Sequence, residues 1–296
     1  MKLLTIQKND RLTLGVQEDG RVYDIEAALK AVPSQGVTTD MMELIHSSES
    51  MQALQGYVQQ LKQAGDAEYV VQEENVQIGP CVPTPGKIIC VGLNYRKHAE
   101  ETNAPIPEYP ILFNKFSNTI AAPGEEIPLP KVTNKVDYEA ELTIVMGKEA
   151  KYVSKDQALD YVFGYCNVND LSARDLQMRT HQWLLGKSCD KFSPIGPYLV
   201  TADEVGNPNQ LDIKCIVNGE VRQHSNTSDM IFYCDEIVSY ISQHMTLSPG
   251  DIILTGTPSG VVLGYPEDQQ VYLQDGDIVT IEIEKLGALT NRMVAE

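Results

Sequence analysis

Apolar residues recur along this chain in two rhythms. Alternation marks Leu12-Thr-Leu-Gly-Val16 and Arg21-Val-Tyr-Asp-Ile25, which flank Gln17-Glu-Asp-Gly20, a hairpin turn signal. Helical spacing follows: Asp40 with Glu43 forms a capping pair, and Met51, Leu54, Tyr57, Val58 and Leu61 share one face before Gly65 ends the run. The turn-rich joint Cys81-Val-Pro-Thr-Pro-Gly86 leads into Lys87-Ile-Ile-Cys-Val-Gly92, a short strand of the buried type. Further strands are expected at 139–146, 162–168, 212–217, 251–255 and 278–284, and a helix at 234–245 carrying Ile237, Tyr240, Ile241 and Met245. The pattern predicts a mixed α/β, β-rich fold in two parts. A small hairpin-plus-helix domain covers 1–80 and a larger domain 81–296, with no internal repeat and no low-complexity segment.

With 296 residues, 42% of them hydrophobic, the chain can bury a substantial core. It contains no apolar run of about 18 residues and no signal-like N-terminus, which predicts a soluble, cytoplasmic protein without membrane insertion. A formal charge of −18 argues against nucleic-acid binding and against anionic membranes. An anionic substrate therefore needs a local cation. The six cysteines form no C-x-x-C and read as small core residues.

Against this pattern Glu139 and Glu141 stand out, two acids inside the apolar stretch 136–146. At roughly 3.3 Å per residue, alternate strand positions lie on one face about 7 Å apart, close enough to converge on a cation. Such alternation more often marks a solvated face, as at Glu282 and Glu284. A third acid is at hand in Asp170, at the end of the apolar run 161–169 and ahead of the helix-like 171–177, where it also reads as an N-cap. Three carboxylates without His or Cys suit Mg²⁺ or Mn²⁺ better than zinc.

Asn94 is placed to cap a short helix that Pro105, Pro107 and Pro110 cut off, and His98 and Glu101 share a face of it. The carboxylate would orient the imidazole as a general acid/base pair, against the alternative of an exposed ion pair. Gly186-Lys-Ser188 is not a phosphate loop, because His181 occupies the position of the first glycine. Lys187 is then either a surface lysine or, near Asp170 in sequence, a group that grounds a substrate carboxylate or stabilises an enolate. The loop Thr255-Gly-Thr-Pro-Ser-Gly260 offers backbone N–H groups and the Thr257 hydroxyl to a carboxylate, or is a plain turn. His244 reads as a core or helix-end histidine and Trp183 as packing, the sequence names no partner for His46, His181 or His224, and Gly92 starts no dinucleotide fingerprint.

Taken in order, Ile88-Ile-Cys-Val-Gly-Leu-Asn-Tyr-Arg-Lys-His98, Asp137-Tyr-Glu-Ala-Glu-Leu142, Asn169-Asp-Leu-Ser-Ala-Arg-Asp-Leu-Gln177, Gly186-Lys-Ser188, Asn218-Gly-Glu-Val-Arg-Gln223 and Leu254-Thr-Gly-Thr-Pro258 resemble the fumarylacetoacetate hydrolase family, from about 87 to the C-terminus. The resemblance implies a β-roll or sandwich catalytic domain, a homodimer, and Glu139, Glu141 and Asp170 as ligands of Mg²⁺ or Mn²⁺. It implies His98 and Glu101 as the acid/base dyad on a closing lid, Lys187 beside the metal, and Lys115, Gln177 and Thr257 as substrate contacts. One departure is Phe116 after Lys115, where the family often has proline. The long form with an N-terminal unit resembles members that act on a small 2-oxo dicarboxylate through a metal-stabilised enolate. The expectation is therefore an oxaloacetate tautomerase or decarboxylase. The alternatives are an acylpyruvate-type C–C hydrolase, an aromatic-degradation isomerase, or a metal-binding interaction module without turnover.

Overall fold

In the computed structural model, which describes residues 1–64 and 67–296, one long sheet organises the chain. Its order is Val70–Gln72, Arg21–Asp24, Arg11–Glu18, Lys2–Lys8, Ser193–Thr201, Val162–Asn169, Ala140–Met146, Ile252–Leu254, Ile88–Gly92 and Ile111–Lys115. The short strand Ile120–Ala121 runs parallel to Ser193–Thr201 beside it. A second sheet orders Glu220–Asn226, Asp212–Val217, Ile278–Ile283, Gly287–Ala295 and Glu126–Leu129.

Successive side chains on a strand point to opposite faces, and the central strands bury both. Leu4, Ile89, Ile144, Tyr165 and Val200 join the second sheet and the helix Cys234–His244 in one apolar cluster. Their neighbours Leu3, Cys90, Val145, Cys166 and Leu199 join a second cluster beneath the helices Ile25–Ala31, Met41–His46 and Ser48–Ala64. The segment 1–80 shares its sheet with the rest of the chain, because Lys2 and Leu3 pair with Val200 and Leu199. It shares that second core too.

The predicted elements are largely present. The hairpin, the strands Ala140–Met146, Val162–Asn169, Asp212–Val217, Ile252–Leu254 and Ile278–Ile283, and the helix Cys234–His244 all form. Asp40 caps its helix by accepting the Glu43 N–H at 2.8 Å. Gly65, expected to end the following helix, lies outside the described residues. The cysteines are free, all of them buried except the half-buried Cys189. Among the described residues, no helix is long and apolar enough to cross a membrane.

Two local expectations are corrected. Asn94 does not cap the helix Arg96–Glu101, which has Tyr95 at its N-cap position without a side-chain bond. Its amide instead donates to the carbonyls of Thr255 at 2.7 Å and Phe232 at 3.0 Å and accepts the Phe232 N–H at 2.8 Å. Asn94 thus ties together three chain segments. Residues 171–177 do not form one helix: a short strand Ser172–Ala173 pairs with Val136–Asp137 before a single turn Arg174–Gln177. Asp170 is therefore not an N-cap.

Candidate active site

Antiparallel pairing sets the acids side by side. Ala140 faces Asn169 across the ladder, so Glu139 and Asp170 are the next residues outward, and the Asp170 N–H donates to the Glu139 carbonyl at 3.0 Å. The Asn169 amide oxygen accepts the Glu139 N–H at 3.0 Å. Glu141 is two residues along the same strand, on the same face. One carboxylate oxygen from each of Glu139, Glu141 and Asp170 lies within 4.8 Å of the others, and all three side chains are buried.

Burying three carboxylates needs positive charge nearby. Lys187 supplies it at 2.6 Å from Glu139 and 2.7 Å from Asp170. Arg174 stands 2.8 Å from Glu139 and also 2.8 Å from Asp137. Lys115 bonds Asp170 and donates to the Phe192 carbonyl at 2.6 Å. Burial raises the Glu139 pKa, but Lys187 and Arg174 outweigh it and hold this carboxyl at about 2. Glu141 goes the other way. Burial pushes it well above the usual carboxylate range, and Asp170 and Glu139 add to the push. Among the described residues no lysine, arginine or histidine lies within ion-pair distance of it; its Oε2 accepts the Gly256 N–H at 2.7 Å. Burial opposes the charge on Lys187, yet Asp170 and Glu139 raise its pKa.

This donor set fits a hard divalent cation. The converging atoms are all carboxylate oxygens, and a cation beside Glu141 would offset the cost of burying it as an anion.

A second constellation faces the same cavity. On the turn Arg96–Glu101, Glu101 Oε1 lies 2.8 Å from His98 Nδ1, and Glu101 Oε2 accepts the Gly260 N–H at 2.9 Å. The pair is not an exposed ion pair, since His98 is only 7% exposed. The cavity, about 620 Å³, is lined by His98, Glu101, Glu139, Glu141 and Lys187 on its polar side. Its apolar wall includes Phe113, Met178 and Trp183, and Trp183 meets Phe113 edge-on with ring centroids 5.2 Å apart.

Of the remaining candidates, Gln177 and Thr257 line the cavity, with their oxygens engaged by Arg174 at 2.9 Å and Gln223 at 2.8 Å respectively. Lys115 does not line it: its ammonium is fully buried behind Asp170. His244 is an exposed helix-end residue bonded to the Tyr240 carbonyl at 2.9 Å. The loop 255–260 does bind carboxylates through its N–H groups, but they are the protein's own Glu141 and Glu101. No sequence signal singles out Arg174 or Asp137, although they lie inside the motifs Asn169–Gln177 and Asp137–Leu142. A buried arginine thirty-odd positions from a buried aspartate leaves no periodic trace, and only the pairing of Ser172–Ala173 with Val136–Asp137 brings them together.

Residues 87–294 match the family model described as fumarylacetoacetate (FAA) hydrolase, C-terminal. The chain is 40% identical to a mitochondrial oxaloacetate tautomerase of Xenopus laevis, over 99% of this chain and 90% of that one. Among solved structures it is similar to a fumarylacetoacetate hydrolase from Exiguobacterium antarcticum, at a TM-score of 0.80 and 33% identity covering 100% of both chains. It is likewise similar to a maleylpyruvate hydrolase from Sphingobium sp. SYK-6 in complex with manganese(II) and pyruvate, at a TM-score of 0.80 and 31% identity covering 100% of this chain and 99% of that one.

Proposed function

This chain belongs to the fumarylacetoacetate hydrolase family of enzymes, and we propose that it catalyses keto–enol tautomerisation of oxaloacetate with bound Mg²⁺ or Mn²⁺. The observation that carries this reading is a single cavity lined by both a hydrogen-bonded His98–Glu101 pair and a carboxylate face. It occurs in a chain 40% identical to a named oxaloacetate tautomerase.

Glu139, Glu141 and Asp170 would hold the ion, which when bound supplies a Lewis acid for the oxygens of a 2-oxo acid. Glu101, with one oxygen on His98 Nδ1 and the other on the Gly260 N–H, fixes the imidazole and leaves Nε2 to exchange a proton. His98 removes a proton from C3 of the keto form and the imidazolium so formed gives it back at the C2 oxygen, which leaves the imidazole neutral; the reverse sequence regenerates the ketone. No carbon–carbon bond breaks. Lys187 offers positive charge to a substrate carboxylate, and Gln177 and Thr257 supply polar contacts from the cavity wall. Lys115 acts through Asp170, which it braces from behind. The ion together with Lys187 would supply the local positive charge that a dianion needs in a protein of net charge −18. The same reading takes the chain as a cytoplasmic homodimer, to be checked by light scattering and cell fractionation.

A second reading, C–C hydrolysis of an acylpyruvate, draws support from the cavity itself. Its volume of about 620 Å³ and its wall of Phe113, Met178 and Trp183 leave room for an apolar tail beyond a 2-oxo acid head. One experiment separates the readings. Oxaloacetate is followed with purified protein and Mg²⁺ or Mn²⁺, recording enol absorbance and pyruvate together against an EDTA control. Metal-dependent enol loss without pyruvate is the expected outcome. Pyruvate above the metal-only blank would mean decarboxylation. Neither signal, with turnover of acylpyruvates instead, would establish the hydrolase.

A further inference from the structure

The loop 255–264 donates backbone N–H groups to three different carboxylates. Gly256 N–H reaches Glu141 at 2.7 Å and Gly260 N–H reaches Glu101 at 2.9 Å. Val262 and Leu263 donate to the two oxygens of Asp137 at 2.9 and 3.1 Å. Asp137 in turn accepts from Arg174 Nε at 2.8 Å, and the far end of that guanidinium reaches Glu139 at 2.8 Å. Asp137 is fully buried and does not line the cavity. It cannot touch a substrate. It is the junction at which the loop that seats Glu101 meets the arginine that seats Glu139.

The clearance over Glu101 is tight. A Cβ on Gly264 would lie 2.6 Å from the Glu101 carboxyl carbon, and the Gly260 N–H holds one of that carboxylate's oxygens at 2.9 Å, so the loop packs directly against it. Glu101 sets the His98 ring. A shift of the loop therefore moves the imidazole relative to the Glu139 and Glu141 face.

We propose that Asp137 is a positioning residue that clamps the loop 260–264 to Arg174 and so holds the His98–Glu101 pair in register with the carboxylate face. The inference rests on the proposed function for its kinetic consequence, although its structural consequence stands independently. Asp137→Asn nearly preserves shape but replaces one acceptor by an NH₂ donor facing groups that are themselves donors. Outer-shell partners of metal-ligating residues typically change activity or metal affinity by about 10–100-fold when lost, and Asp137 reaches Glu139 through Arg174. The loss should appear in kcat with KM little changed, because the register of a proton-transfer group acts on the transition state.

The test is a double-mutant cycle combined with hydrogen exchange. Asp137→Asn should lower kcat about 10–100-fold in the wild-type background and add little to Glu101→Gln, since the two act through one group. Amide exchange should rise at Val262 and Leu263 and also along 96–101. Wild-type kcat in Asp137→Asn, full additivity with Glu101→Gln, or faster exchange confined to 262–263 would overturn the clamp. Should Asp137→Asn fail to fold, Arg174→Lys, which keeps the charge but loses the fork that joins Asp137 to Glu139, takes its place in the same cycle with Glu101→Gln, and wild-type kcat or full additivity there overturns the clamp equally. A wild-type protein without oxaloacetate turnover sinks the functional reading alone; the exchange pattern still decides the clamp.

Discussion

The Lys187 ammonium lies 2.6 Å from the Glu139 carboxylate, and both side chains are buried. Their proximity is built by Gly186, on whose account the turn Leu184–Lys187 packs against Arg174–Gln177: an added Cβ would stand 2.4 Å from the Gln177 nitrogen and 2.6 Å from the Ala173 carbonyl oxygen. Both contacts are backbone and cannot swing aside. Gly186→Ala should therefore cost about 1–3 kcal/mol and lower turnover by displacing Lys187. Urea denaturation and initial rates check this, and wild-type values in both would refute the packing argument.

Lys187→Met removes the charge that Glu139 and Asp170 share. Breaking a buried pair by deleting one partner costs about 3–5 kcal/mol, because the remaining charge has no solvent to replace it. Thermal and urea unfolding in EDTA should register a loss of that size. A variant as stable as the parent would mean that Arg174 and Lys115 suffice for these carboxylates.

Glu139→Ala, Glu141→Ala and Asp170→Ala should each abolish Mn²⁺ binding by calorimetry together with metal-dependent turnover, since each supplies one of the converging oxygens. Any of the three that kept both affinity and rate would be struck from the ligand set.

His98→Ala should separate binding from chemistry. Metal affinity should persist, while kcat falls about 10²–10⁴-fold with loss of the proton-transfer group. Unchanged turnover would remove His98 from the reaction.

Far from the cavity, hydrogen bonds from Arg11 and then Lys8 hold Glu26 at about 2, below its ordinary 4.5. A carboxylate depressed by folding stabilises fully above its unfolded value and loses that contribution as pH falls toward the folded one. The stability advantage of the parent over Glu26→Gln should thus be largest near neutrality and shrink from about pH 4.5 toward 2. Urea unfolding across that range reads the difference, and a gap independent of pH would contradict the assignment.

Much of the fold was legible because its strands are short apolar runs bounded by turn residues, as at 139–146 and 212–217, and its long helices carry clear apolar faces. The errors fell at Asn94 and 171–177, where tertiary partners compete with local preference. Asn94 has the chemistry of a cap, yet Thr255 and Phe232 claim its amide. Leu171–Gln177 has helical composition, yet Ser172 and Ala173 pair with Val136–Asp137.

By itself the sequence determined the alternating carboxylates, the His98–Glu101 spacing and the order of motifs, because strand and turn periodicities fix which neighbours share a face. Only the tertiary structure decided that Asp170 lies beside Glu139, that Lys115 braces an acid from behind the cavity, and that Asp137 joins Arg174 to the loop over Glu101. These contacts span tens to over a hundred residues of chain. Strand pairing and burial across a sheet set them, and no periodicity along the backbone encodes them.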